Sequence, residues 1–422
     1  MKFLFKAFAT RLRANEFARN AAVLTFGTVC AQGINILAMP ILSRLYTPAD
    51  FGLLAVFLAV SSIVATAITL RYETAIILPK DEKEAVALVV LSTRLVFMGA
   101  ILFGVLTLLI PDSAKEIIGI LSLKNWLISA VFCGFLSTLI TIGVSWYNRT
   151  KNYIKIAALR VVQSSVVVIL SLLFGVMGME AGMMLAQLIG VFIVGIYLIY
   201  SLIFLYGNSN DQAQKRVAKK YSAAPKYLLP TSLLDVVTLH LPVFLITAWF
   251  STDSAGQFSM AWRILGLPSA LVGGAIGQVF FQKFSVLWPD AKACKKLLIK
   301  TWITLAAIGV LPMLAVVLFG ERIFSFILGE EWGGAGSIAR IIAPMLFFML
   351  ISSPTSGTYL VLGMQKTSLI FGIAVLIYRP LCIYFGLIYN SIVYGLIALV
   401  VVEVVQIIIY QFFALKEMER FR

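Results

Sequence analysis

The chain has 422 residues, of which 61% are hydrophobic and only 13% charged. Soluble domains carry about 25% charged and 45–50% apolar residues, so a soluble enzyme and a nucleic-acid-binding module are both excluded and most of this chain belongs in lipid. The 34 Lys and Arg outnumber the 19 Asp and Glu, for a net charge of +15. In such a chain that excess reads first as topology, because basic residues stay on the cytoplasmic side of a membrane.

Met1 to Arg19 has no continuous apolar run and no small-residue cleavage site, so it is not a signal peptide. Leu4, Phe8 and Leu12 recur every fourth residue among Lys2, Lys6, Arg11 and Arg13, the pattern of a short interfacial helix. Apolar runs then predict twelve spans: 21–43, 51–78, 85–110, 126–147, 156–177, 181–206, 228–250, 256–281, 297–320, 336–362, 367–388 and 392–415. With the N-terminus inside, and with Lys300 at the inner end of the ninth span counted as cytoplasmic, 24 Lys and Arg fall on the cytoplasmic side, six within spans, and only Arg44, Lys115, Lys124 and Arg322 on the far side. That asymmetry predicts two cytoplasmic termini and an even number of crossings. The basic loops, such as Lys215-Arg216 with Lys219-Lys220, need no ligand, since anionic inner-leaflet lipid suffices. Trp126, Trp146, Tyr147 and Trp249 fall at span ends and read as interfacial belts.

A repeat is visible at an offset of about 204. Residues 45–52, Leu-Tyr-Thr-Pro-Ala-Asp-Phe-Gly, open the second span, and residues 249–256, Trp-Phe-Ser-Thr-Asp-Ser-Ala-Gly, open the eighth. Both present an aromatic, a hydroxyl cap, an acid and a glycine. Thr47 can cap, Pro48 suits the first helical position, and Asp50 completes a capping box. The fold class expected is therefore all-α: a polytopic membrane protein of about 12 transmembrane helices in two parallel-repeat six-helix bundles around a central cavity. The expected domains are 1–206 and 228–422, joined by a cytoplasmic linker, 207–227.

The chemistry of most enzymes is missing. Cys30, Cys133, Cys294 and Cys382 are scattered, with no paired spacing, and predict neither a disulfide framework nor a metal site. His240 is the single histidine, and no Gly-Lys dipeptide marks a phosphate-binding loop. No cofactor and no catalysis are expected. The far-side loops are short, which disfavours a glycan polymerase or ligase.

Charged residues inside spans cost about 2.5–3.5 kcal/mol each at the bilayer centre, so each needs a partner, a route to the interface, or water. Arg160 and Arg340 lie near span ends and can snorkel. Arg379 and Glu403 each lie 12 residues from Ser391, the tip of the last hairpin, so they should meet at equal depth as an ion pair. The pair is either a structural staple or part of ion coupling. Arg71, Glu73 and Arg94 flank the loop at 80–84 at similar depth. Arg71 and Glu73, two apart on one helix, should point to different sides and not pair. Arg263 is too deep for easy snorkelling. Asp235 and His240 in the seventh span could titrate, though Asp235 could instead cap a helix restarted after Pro230. Arg71, Glu73, Arg94 and Arg263 are the candidate cavity residues. Their positive excess suits an anion such as phosphate or diphosphate, which arginine binds at two points. Pro242, Pro268, Pro344 and Pro354 predict kinks.

Two stretches carry a family resemblance: residues 40–52, Pro-Ile-Leu-Ser-Arg-Leu-Tyr-Thr-Pro-Ala-Asp-Phe-Gly, and residues 71–79, Arg-Tyr-Glu-Thr-Ala-Ile-Ile-Leu-Pro. They resemble the N-terminal region of bacterial oligosaccharide flippases, the Wzx-type polysaccharide transporters. These share a superfamily with multidrug and toxin extrusion transporters and lipid II flippases. The resemblance implies movement of undecaprenyl-pyrophosphate-linked oligosaccharide from the cytoplasmic to the periplasmic leaflet for O-antigen, capsule or exopolysaccharide assembly. It also implies a cationic cavity, coupling to a proton or sodium gradient, and residence in the bacterial cytoplasmic membrane. A polysaccharide polymerase and a chain-length regulator are the protein partners it suggests. The alternative, a drug–cation antiporter of the same superfamily, should carry an acidic cavity, whereas the in-span charges here are mostly basic.

Overall fold

The computed structural model describes residues 16–208 and 210–420, and every secondary-structure element among them is helical. The expected interfacial helix before the first span lies outside the described residues. The longer helices are α1 (Glu16–Leu45), α2 (Pro48–Ile68), α3 (Glu82–Leu109), α5 (Trp126–Arg149), α6 (Tyr153–Val176) and α7 (Gly182–Leu202) in the first half of the chain. The second half contributes α9 (Leu229–Trp249), α10 (Thr252–Leu287), α11 (Ala291–Leu328), α12 (Gly333–Ser352), α14 (Gln365–Ile388) and α15 (Ile392–Arg420). Shorter pieces lie between them: α4 (Asp112–Ile118), α8 (Asp211–Lys220) and α13 (Thr358–Val361). Each of the twelve expected spans falls on a longer helix. Among the described residues, eleven helical segments are long and apolar enough to cross a membrane. The remaining expected span, 256–281, lies within the 36 residues of α10.

Several boundaries differ from expectation. The second span ends at Ile68, not at residue 78. Leu70 and Arg71 take left-handed φ angles of 51° and 64°, and a 3-10 turn, Tyr72–Ile77, follows. This turn removes Arg71 and Glu73 from the helix, leaving Arg71 partly exposed and Glu73 buried. The 38 residues of α11 run beyond 297–320 at both ends, its first turns carrying Lys292, Lys295 and Lys296 and its last turns Glu321 and Arg322. Pro230 lies at the start of α9 rather than breaking a helix, so Asp235 is in its second turn and not at an N-cap position. Pro354 falls in a 3-10 break after α12, while Pro242, Pro268 and Pro344 lie inside helices. Trp146 and Tyr147 are buried, packed inside the fold instead of forming an interfacial belt.

The described chain forms two compact units. The first gathers the chain up to Leu45, Phe57–Pro111 and Leu123–Val236. Within it α6 packs between α1 and α7, and α5 between α3 and α7. A hydroxyl joins α2 to α5: Ser61 Oγ reaches the Ala130 carbonyl at 2.8 Å. The helix α8 docks on this unit through three contacts. Arg94 bonds Asp211 at 2.5 Å, the Tyr72 hydroxyl bonds the Ala218 carbonyl at 3.0 Å, and Lys220 bonds Glu84 at 2.6 Å. The expected linker is thus partly a docked helix.

The second unit gathers Tyr46–Val56, Asp112–Ser122 and Val237 onward. Both repeat-related helix starts lie here. Thr47 Oγ1 accepts from the Asp50 amide at 3.3 Å, and Asp50 accepts from the Thr47 amide at 2.9 Å, a complete capping box. Ser251 Oγ accepts from the Ser254 amide at 3.0 Å. Ser254, not the acid Asp253, therefore stands where Asp50 does. The two starts touch reciprocally: a Cβ on Gly52 would meet the Thr252 carbonyl at 2.0 Å, and one on Gly256 the Pro48 carbonyl at 1.7 Å. Since 48 and 252, like 52 and 256, differ by 204, the contact is a local pseudo-two-fold built by the repeat. Elsewhere in this unit Phe280, Phe284, Cys294, Leu298, Tyr359 and Met418 close an apolar core among α10, α11, α13 and α15.

Candidate functional site

The first-unit charges gather at the turn after α2. Glu73 is buried and accepts from Arg71 Nη1 at 3.1 Å and from the Thr69 hydroxyl. The expectation that Arg71 and Glu73 do not pair fails because the left-handed backbone folds Arg71 back over its neighbour, where a helix would separate the two by about 200°. Arg149 holds the same turn from α5, donating to the carbonyls of Ile76, Pro79 and Asp81. Arg71 remains partly exposed, while its buried Nε has no hydrogen-bond partner among the described residues. Arg94 belongs to a different place: it is exposed and paired with Asp211, which lies on α8. The Arg94 guanidinium pulls the Asp211 carboxyl below its ordinary value, through both the hydrogen bond and its charge.

In the second unit Arg263 stands apart. It lies eleven residues into α10, about 17 Å along the helix from its first residue. It is nonetheless exposed, and it makes no hydrogen bond or ion pair among the described residues. Its neighbours Phe51, Leu54, Ser259 and Met260 line a recess of about 30 Å³. The opposite face of α10 carries Leu265, Pro268 and Ser269, which line a larger, mostly apolar recess of about 140 Å³ with Gly309, Pro312 and Phe347. One helix thus presents a cationic face and an apolar face.

Arg379 and Glu403 form the expected pair. Arg379 Nη2 meets Glu403 Oε1 at 2.7 Å and Nε meets Oε2 at 3.2 Å. The close contact of Gly386 with Gly395 draws α14 and α15 together and sets the pair level. The sequence reading missed Tyr378, whose hydroxyl donates to Glu403 at 2.7 Å, and the Thr238 carbonyl, which accepts from Arg379 at 2.5 Å. A proline four residues after Thr238 was the available signal. Asp235 is exposed and His240 half-buried on α9; five residues apart, they lie about 140° around the helix from each other and do not form a cluster. Among the described residues no three His, Cys, Asp or Glu gather to hold a metal.

All-helical architecture, spans of this length and charges placed inside them define a polytopic membrane protein, and its fold is that of the MOP-superfamily transporters. The lipid II flippase MurJ in an inward closed conformation superposes with a TM-score of 0.73 at 15% identity, over 95% of this chain and 90% of that one. A multidrug resistance MATE family transporter in its inward-facing conformation gives 0.68 at 15% identity, over 94% and 95%. A MOP superfamily transporter from Pyrococcus furiosus, described as having a binding pocket of reverse polarity, gives 0.59 at 15% identity, over 95% and 96%. The chain itself belongs to the polysaccharide biosynthesis protein family, whose model matches residues 41–337. The succinoglycan biosynthesis transport protein ExoT of Rhizobium meliloti (strain 1021) is 21% identical over 347 residues, 79% of this chain. The chain spans 66% of that relative's length.

Proposed function

We propose that this protein is a flippase for undecaprenyl-pyrophosphate-linked oligosaccharide, moving repeat units from the cytoplasmic to the periplasmic leaflet of a bacterial inner membrane by alternating access. Arg263 carries the reading: a guanidinium that is exposed and unpaired among the described residues, at mid-depth in a span as the sequence places it, is stable only facing water, and there it recruits an anionic headgroup. Family membership supports glycan assembly as the setting. Arg71, held by Glu73 and partly exposed, is a further candidate anion-binding group, within the first unit. The bundles 1–206 and 228–422 are the two halves of the cycle, with both termini cytoplasmic. Asp235 and His240 are candidates to take the coupling proton, sodium being the other possible ion. A polysaccharide polymerase and a chain-length regulator would receive and measure the product.

The test is flipping of a fluorescent undecaprenyl-diphosphate oligosaccharide by reconstituted protein. Arg263→Ala should slow it about 10- to 100-fold, the loss of a charge-assisted contact, with unchanged thermal stability because no partner is abandoned. Arg71→Ala should lower surface polysaccharide in cells while the protein still inserts. Wild-type flipping by Arg263→Ala, or transport of cationic drugs in place of the lipid, would defeat the assignment.

A further inference from the structure

Pro242 lies inside α9 and has no N–H, so the Thr238 carbonyl, four residues earlier, loses the partner an unbroken helix provides. Arg379 Nη1 fills that vacancy at 2.5 Å. The same guanidinium is fixed from its other edge by Glu403, at 2.7 and 3.2 Å, and Glu403 is fixed in turn by the Tyr378 hydroxyl at 2.7 Å. Thr238, Arg379 and Glu403 are all at least nine-tenths buried. A staple between α14 and α15 needs only the two carboxylate contacts; the third donor serves the proline break alone. The break also falls close to Val236–Val237, where α9 passes from the first compact unit to the second.

We infer that Tyr378, Arg379 and Glu403 form a clamp on the bend of α9, with Arg379 the positioning residue that holds the freed carbonyl. Keeping this bond stiffens residues 238–242; releasing it lets the helix flex at the proline. The clamp is independent of the cargo and is read by hydrogen exchange, so its failure is distinguishable from failure of the flippase reading.

The experiment is amide exchange on the full-length protein in nanodiscs, followed over residues 234–249. Arg379→Met with Glu403→Leu removes both charges and should raise exchange there about tenfold, the worth of one hydrogen bond from a charged donor. Pro242→Ala returns an N–H to the Thr238 carbonyl. In that background the same double substitution should leave exchange within about twofold of Pro242→Ala alone. Arg379→Lys keeps a charge opposite Glu403 but cannot span both acceptors, and should loosen α9 about tenfold while α14 and α15 hold their protection. It therefore answers even if the charge-free variant misfolds. An equal rise with and without Pro242, or tight exchange in Arg379→Lys, would reduce the cluster to a staple and overturn the clamp.

Discussion

Leu70 and Arg71 hold φ angles of 51° and 64°, a region that costs a non-glycine residue about 1–2 kcal/mol. The interactions around them explain why the turn persists: Glu73 is tied to Thr69 and Arg71, and Arg149 ties down the carbonyls that follow. Leu70 makes none of these side-chain bonds and is partly exposed, so Leu70→Gly should stabilise the protein by about 1 kcal/mol in detergent melts. A neutral or negative change would show that Leu70 packs more than its exposure indicates. Asp211 offers a pH test. Arg94 lowers its folded-state value, so its contribution is present above its ordinary value of 3.8 and is lost as pH falls through the lowered one. Amide protection of α8 should therefore weaken on acidification from about pH 5 to about pH 3, and Asp211→Asn should flatten that dependence. Both residues are exposed, so the effect is small and salt-sensitive.

At the scale of elements, the starts of α2 and α10 are the tightest contact. Gly52 and Gly256 lie so close to the opposing carbonyls that no side chain fits without backbone movement. Gly256→Ala should destabilise the fold by about 3 kcal/mol or more, against less than about 1 kcal/mol for Gly33→Ala, where a Cβ meets nothing within 4 Å. Equal melting temperatures for the two variants would contradict the close approach. The capping box at Thr47, Pro48 and Asp50 was legible because caps are local chemistry. The reciprocal seating of the two helix starts was not, since nothing in either octapeptide says that the other lies against it. The same limit produced the error at Arg71 and Glu73. Helical periodicity separates residues two apart, and only the left-handed turn reunites them.

At the scale of the whole molecule, the charge asymmetry makes a prediction about orientation. Asn390→Cys should label from outside intact cells, and Ser222→Cys only after permeabilisation, because the loops richest in Lys and Arg resist translocation. Labelling of Ser222→Cys from outside would invert the topology. Both positions are exposed, so access to reagent is set by side of membrane and not by burial.

The sequence by itself determined that the chain lives in lipid, how many helices it has to offer, and that Arg379 and Glu403 meet. Each of these follows from quantities summed along the chain: apolar run length, basic-residue count, and distance from a hairpin tip. Tertiary structure alone decided what those charges do. It left Arg263 without a partner among the described residues, sent Arg94 to Asp211, and gave Arg379 a carbonyl to hold. The reason is physical: a charge pairs with whichever group packing brings within about 3 Å, and for Arg94 and Arg379 those groups come from helices far apart in the chain.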